Sequence, residues 1–303
     1  MTGSASPKIA RRRVDGVLLL DKPHGMSSNM ALQKARRLYA AERAGHSGTL
    51  DPLATGLLPV LFGEATKFGS ELLDGDKRYL AEVAFGVCTT TGDAEGDVVS
   101  TRPVEVSLAQ LEAAVQRFIG PIRQVPPMYS ALKHAGRPLY HYARAGQHIE
   151  RAAREVTIHA LRIEAFDGKR AVLNVHCSKG TYIRTLGEDL GEALGCGAHL
   201  AGLRRTGAGP FSITDALTLE NLEQLAPEQR DAKLLPVDLL VQHLPRLDLS
   251  ADQARRLNMG QALADVEPIT GRVRAYLGEC FLGVAERDAA GVLRARRLLR
   301  TGA

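Results

Sequence analysis

Short apolar runs separated by glycine, proline and charge set the rhythm of this chain. Val17-Leu18-Leu19-Leu20, bounded by Gly16 and Asp21, reads as a short buried strand. Ser27 or Ser28 then caps a helix running to about Glu42. That helix gathers Ala31, Ala35, Leu38 and Glu42 on one face and leaves Lys34, Arg36 and Arg37 elsewhere. Residues 78–86 alternate, with Tyr79, Ala81, Val83 and Phe85 on one side of a strand. Ser107 caps a helix over 108–119 that turns Leu111, Val115 and Phe118 inward. Strand-like runs at 156–166 and 171–177 flank Asp167-Gly168, a hairpin signal. A helix is expected from about 181 to 195, a basic glycine-rich turn at 202–211, and another helix at 219–225. Beyond Pro236 and Pro245 the pattern shifts to short apolar runs between Gly260, Gly271, Gly278, Gly283 and Gly291, as in a compact β-rich appendage. There is no internal repeat and no low-complexity tract.

Composition narrows the class. The 303 residues suit one large domain with an appendage, or two domains. A hydrophobic share of 45% and a charged share of 24% are ordinary for a soluble globular protein. No stretch approaches the ~20 apolar residues of a membrane span, and 17–20 is too short for a signal core. A cytoplasmic protein is expected. Cys88, Cys177, Cys196 and Cys280 form no C-x-x-C pair, so neither a zinc site nor a disulfide framework is suggested. Free thiols fit a reducing compartment.

The net charge of +5 matters less than its placement. Residues 123–154 hold six Lys or Arg residues against one acid, Glu150, so this short stretch carries as much net charge as the whole chain. A phosphate backbone is the natural partner of such a block. Residues 1–14, with Lys8 and Arg11-Arg12-Arg13, read as a flexible basic arm.

The chemistry concentrates at Gly45-His46-Ser47-Gly48-Thr49-Leu50-Asp51-Pro52-Leu53-Ala54-Thr55-Gly56-Leu57-Leu58-Pro59-Val60. Glycines open backbone angles closed to other residues, and prolines fix φ and withhold a donor. The run is therefore expected to be a constrained loop and neither a regular helix nor a strand. Asp51 is its one acid. A lone positioned carboxylate suits a nucleophile or a general base better than a metal site, although Asp before Pro is also ordinary turn chemistry.

The run closely resembles the active-site motif of the tRNA pseudouridine-55 synthases, G-H-[ST]-G-T-L-D-P-x-A-T-G. Ser47 stands where many relatives carry Thr. Three further blocks follow the family's order or accompany it: Asp21-Lys22-Pro23-His24-Gly25-Met26-Ser27-Ser28, Ser178-Lys179-Gly180-Thr181-Tyr182-Ile183-Arg184, and Leu200-Ala201-Gly202-Leu203-Arg204-Arg205-Thr206. The resemblance implies Asp51 as the catalytic residue. It implies Tyr79, in Lys77-Arg78-Tyr79, as the platform on which the flipped uracil stacks, with Tyr182 and Leu203 lining the pocket. It implies Arg184 paired two-pronged with Asp51, which would depress the carboxyl pKa, and His46 in contact with the RNA loop. Lys22, Lys67, Lys133, Arg137 and Arg144 are expected at RNA phosphates, with a bracing role as the alternative for Lys22.

The resemblance also implies an α+β (mixed α/β) architecture. The catalytic domain, 15–244, would hold a mixed, largely antiparallel sheet flanked by helices, with a basic lid inserted at about 124–154. A small C-terminal β-barrel of the PUA class would occupy 245–303. The expected function is isomerisation of the T-loop uridine of tRNA, by a monomer, with no cofactor and no metal. The alternatives are a non-catalytic RNA-binding or tRNA-folding module on the same scaffold, and a nucleoside-processing enzyme with an Asp nucleophile. The latter leaves the basic insertion unexplained.

Overall fold

The computed structural model describes residues 10–300. A ten-stranded mixed sheet forms its centre. Its main path runs Leu217–Thr218, Gly16–Lys22, Thr55–Phe62, Ala198–Ala208, Lys77–Phe85, Arg170–Cys177, Arg154–Phe166 and Gly120–Gln124. Leu217–Thr218 lies parallel to Gly16–Lys22, and Ala198–Ala208 parallel to Thr55–Phe62. The other pairings are antiparallel. This is the mixed, largely antiparallel sheet that the family resemblance implies. Among the described residues no helix is long and apolar enough to cross a membrane.

The Gly16–Lys22 strand is apolar throughout because both of its faces are covered. Leu18 and Leu20 meet Ala31 and Ala35 of the helix Ser28–Leu38. Val17 and Leu19 meet Phe68, Leu72 and Leu240 on the opposite side. A third cluster packs Ala81, Val83, Leu173 and Val175 under the helices Leu108–Gln116 and Ile183–Ala193. Ser27 caps the first helix by accepting from Met30 N–H, and Ser107 caps the second with a reciprocal bond to Gln110.

Four expectations change. The first helix ends at Leu38, short of Glu42, because Ala40 takes a left-handed φ of 49° and its carbonyl accepts from Arg12 N–H. The run 45–60 is irregular only in its middle. Ala44–His46 and Thr55–Phe62 are strands, and Pro59 joins its ladder through its carbonyl, which accepts from Ser47 N–H at 3.1 Å. Residues 202–208 are not a turn but part of a central strand. Bulges near 201 and 206 break the alternation that would have announced it.

The fourth change concerns the C-terminal appendage, which is an open four-stranded sheet and not a closed barrel. Its order is Arg246–Asp248, Gly271–Leu277, Cys280–Arg287, Leu293–Leu298, and among the described residues its two edge strands do not pair with each other. The helix Ala251–Asn258 covers its apolar face instead, through Ala254 and Leu257. The opposite side docks on the central sheet, with the Phe281 ring 5.9 Å from that of Phe68 and Val284 buried among Leu57 and Leu61. Of the expected arm, residues 1–9 lie outside the described residues. Arg12 is tied to Asp231 and Arg13 to the Arg300 carbonyl.

Within the sheet, Gly56 sits at φ 100°, and a Cβ there would come 2.3 Å from the Arg205 carbonyl. Gly56→Ala should therefore destabilise the protein by about 2 kcal/mol or more in urea unfolding, through strain and displacement of the Ala198–Ala208 strand. Gly45→Ala, which meets nothing closer than 3.7 Å, is the control and should change little.

Candidate active site

The segment between Ala44–His46 and Thr55–Phe62 is held from all sides by backbone contacts. Ser28 Oγ accepts from Leu50 N–H at 2.8 Å and donates to Leu50 C=O at 2.9 Å. Gly25 N–H donates to Pro52 C=O, and Ala54 N–H to Asp51 C=O. The Lys22 ammonium is wholly buried and donates to the Pro23 and Met26 carbonyls at 2.9 and 2.6 Å. Burial lowers its pKa to about 8. Lys22 thus braces the turn before the helix and is not available to RNA phosphates.

Arg205 completes the clamp. Its side chain is 1% exposed. Nε donates to Leu57 C=O at 2.7 Å, Nη2 to Gly48 C=O at 3.0 Å, and the guanidinium lies against the Tyr79 hydroxyl. Gly48 (φ 77°) and Gly56 (φ 100°) leave room for it, since a Cβ on Gly48 would sit 3.1 Å from Nη1. Arg204, one residue earlier, faces the other way and makes a two-pronged pair with Asp21 at 3.1 and 2.6 Å. Sequence reasoning assigned Arg205 no role. In Arg204-Arg205 nothing but strand parity separates a surface cation from a buried one.

The held loop delivers Asp51 to a cleft of about 550 Å³. Tyr79, Tyr182, Arg184 and Leu203 line it with Asp51, so the structure brings together five of the expected site residues. Tyr129 and Leu132 of the inserted segment supply another wall. Tyr182 is placed by Gln124, whose amide accepts from Tyr182 N–H at 3.0 Å and donates to its carbonyl at 3.3 Å.

Arg184 reaches Asp51 Oδ2 at 3.1 Å, but not in the expected two-pronged way. Its other donors go to Thr91 C=O (3.0 Å), Tyr129 C=O (2.7 Å) and the buried Asp93 carboxylate (3.6 Å). The guanidinium is therefore fixed by groups other than Asp51. The expected pKa depression is also absent. Crowding by the cleft walls pushes the Asp51 carboxyl above the ordinary range. Arg184 pulls it down, Asp93 pushes it up and Lys22 pulls it down, and burial prevails. Tyr79 and Tyr182 are likewise raised by burial and stay neutral.

The remaining expected residues separate. His46 lies outside the cleft lining, with Nδ1 buried and unpartnered; burial, reinforced by Arg205, lowers its pKa and keeps the ring neutral. Lys67, expected at a phosphate, has its ammonium held by Glu64 at 2.6 Å and by the Leu298 carbonyl at 2.8 Å, joining the core to the appendage. Lys133, Arg137 and Arg144 are exposed on the insertion, whose hairpin (Lys133–His134 with Arg137–Pro138) leads into the helix Leu139–Arg144. Among the described residues none of these three forms an ion pair.

Comparison with known proteins places the whole chain. Residues 36–183 match the model of the TruB family pseudouridylate synthase N-terminal domain. Residues 184–242 match the tRNA pseudouridylate synthase B C-terminal domain, and 245–299 the C-terminal domain of pseudouridine synthase II TruB. The chain is 55% identical over 310 residues to tRNA pseudouridine synthase B of Burkholderia mallei, covering 100% of this chain and 99% of the relative. It is 56% identical over 299 residues to the protein of the same name from Chromobacterium violaceum, covering 97% and 98%. Among solved structures, a chain of a Cbf5-Nop10-Gar1 complex superposes with a TM-score of 0.70 at 26% identity, over 91% of this chain and 79% of that one. A chain of an H/ACA RNP bound to a substrate RNA containing 2'-deoxyuridine shares the fold, with a TM-score of 0.70 at 23% identity over 94% and 85%. On these matches, which span nearly its whole length, the chain belongs to the TruB family of pseudouridylate synthases.

Proposed function

We propose that this chain isomerises a uridine of tRNA to pseudouridine, that its target is the T-loop uridine at position 55, and that Asp51 is the catalytic residue. The observation that carries the reading is a single carboxylate presented into a cleft whose walls include Tyr79, Tyr182, Leu203, Arg184 and part of a basic insertion. The curated relatives named tRNA pseudouridine synthase B support the substrate class. The reaction breaks the N-glycosidic bond, turns the uracil and rejoins it through carbon, with no redox change and no net hydrolysis. Its needs match what lines the cleft.

Asp51 acts on the target nucleoside as nucleophile or base. Its raised pKa makes it more basic than an ordinary aspartate, while Arg184 holds its position. Drawing the base out of its stack costs a few kcal/mol. Stacking on Tyr79 returns about 1–3 kcal/mol. Leu203 and Tyr182 complete an apolar surround that keeps water from the broken bond. Lys133, Arg137 and Arg144 bind phosphates and so supply affinity more than sequence choice. His46, neutral and outside the cleft, meets the RNA loop as a hydrogen-bonding group. In this reading the chain works as a monomer in the cytoplasm, RNA being its large partner surface.

Carbodiimide and primer-extension mapping on an unmodified tRNA transcript tests the assignment. Wild-type protein should produce a stop in the T-loop. Asp51→Asn should lower turnover by at least about 10²–10⁴-fold, the loss typical of a positioned proton-transfer group, while tRNA affinity stays near wild type. Wild-type turnover by Asp51→Asn would overturn the assignment. No stop with either protein, alongside salt-sensitive tRNA binding, would favour an RNA-binding module.

The pH profile follows from the site's electrostatics. The acting form of Asp51 is ionised, so the single-turnover rate should fall as pH drops through a pKa above the 3.8 of an ordinary aspartate. Asp93→Asn removes a like charge and should move that limb to lower pH. A limb unmoved by the substitution would show that Asp51 is not the group titrating.

A further inference from the structure

Three ligand-type side chains converge on the sheet face turned away from the cleft. Lys77 and Tyr79 line the cleft, and their register partners on the neighbouring strand are Cys177 and Val175. His176 lies between these two and pairs with Arg78, so it points to the opposite face. The next strand carries a bulge at this level: Ile158 pairs with Cys177 and Ala160 with His176, leaving His159 as the extra residue. Bulges re-aim side chains, and this one brings the His159 ring to 4.8 Å from the His176 ring, centroid to centroid. Asp76, in the turn before Lys77, directs Oδ1 to His159 Nε2 at 3.3 Å and Oδ2 to His176 Nε2 at 3.6 Å. The three ligand atoms all lie within 4.8 Å of one another.

We propose that Asp76, His159 and His176 bind one divalent transition-metal ion of the zinc type, at a site separate from the catalytic cleft. Two imidazoles and a carboxylate are borderline donors that suit zinc, and they leave a coordination position open to water. Tetrahedral zinc, with bonds of about 2.0–2.1 Å, sets its ligand atoms about 3.3 Å apart, close to the two imidazole–carboxylate separations found here. The side chains of His159, His176 and Asp76 are 36%, 32% and 48% exposed, so an ion can enter from solvent. Arg78 borders the cluster, and the Lys179–Asp74 pair (2.8 Å) lies on the same turn and strand end. Their net positive charge opposes a cation, so the imidazoles, not the field, must supply the affinity. A bound ion would pin the strand pair carrying His159 and His176 to the turn that leads into Tyr79. The inference stands independently of the reaction proposed above.

Zinc chloride titrated calorimetrically into the chelator-stripped full chain carrying Cys280→Ser, which removes an exposed thiol, tests it. The expected result is one ion per chain. Zinc K-edge absorption should show two imidazoles and oxygen donors at about 2.0–2.2 Å. His159→Gln and His176→Gln should each weaken binding by at least the about 10–100-fold typical of losing even a ligand's supporting contact. Asp76→Asn, which keeps both rings, should do the same. Zinc should raise the thermal midpoint of the parent and not of these variants. The control His199→Gln, whose ring nitrogen contacts the Val87 carbonyl at 2.9 Å, should bind as the parent does. The absence of saturable 1:1 binding, or binding unchanged in the two histidine variants, overturns the proposal.

Discussion

The loop bearing Asp51 depends on one buried cation. Arg205 is almost fully enclosed, and among the described residues no carboxylate pairs with it. A buried charge without a counter-ion costs several kcal/mol unless its donors are satisfied. Here the donors are spent on the Gly48 and Leu57 carbonyls and beside the Tyr79 hydroxyl. The desolvation cost, visible as a lowered pKa, is offset by these hydrogen bonds, which at the same time tie three parts of the site together. Gly48 and Gly56 follow from that demand, because a Cβ on Gly56 would collide with the Arg205 backbone and one on Gly48, at a left-handed φ of 77°, would crowd its guanidinium.

A second network holds Asp51 from the other side. Arg184 has most of its donors committed to Thr91, Tyr129 and Asp93, so its position does not depend on Asp51. It orients the carboxylate without neutralising it. The cleft wall raises the carboxyl pKa and Arg184 only partly counters this. The outcome is an ionisable group fixed in place yet kept basic, a combination that a tight two-pronged salt bridge would have forfeited. The Tyr129 carbonyl belongs to the basic insertion, so this network also links the insertion to the site.

The two lysines that proved structural show how burial changes a residue's work. Lys22 and Lys67 sit in turn-rich stretches where the family resemblance suggests phosphate contact. Each is instead consumed by carbonyl or carboxylate acceptors inside the protein. Lys133, Arg137 and Arg144 lie on an insertion that projects from the sheet and keep their charges in solvent. The separation between bracing and binding cations follows the layers of the fold, not the local sequence.

The sequence by itself determined the strands whose apolar pattern is uninterrupted, the capped helices, the Asp167-Gly168 hairpin and the constrained run bearing Asp51, because those signals act over a few residues. The family resemblance carried by its motifs, and not the local pattern, singled out Asp51, Tyr79, Tyr182, Arg184 and Leu203, which the fold brings to one cleft. Only the tertiary structure decided that residues 202–208 are a central strand, since their two bulges erase the alternation and their hydrogen bonds lie in distant strands. Only it distinguished Arg205 from Arg204, and turned Arg184 toward four acceptors. The Asp76–His159–His176 cluster was equally invisible, its members being scattered along the chain and joined by one bulge. Register, burial and the direction of a side chain's charge are set by partners far away in sequence, and local pattern does not encode them.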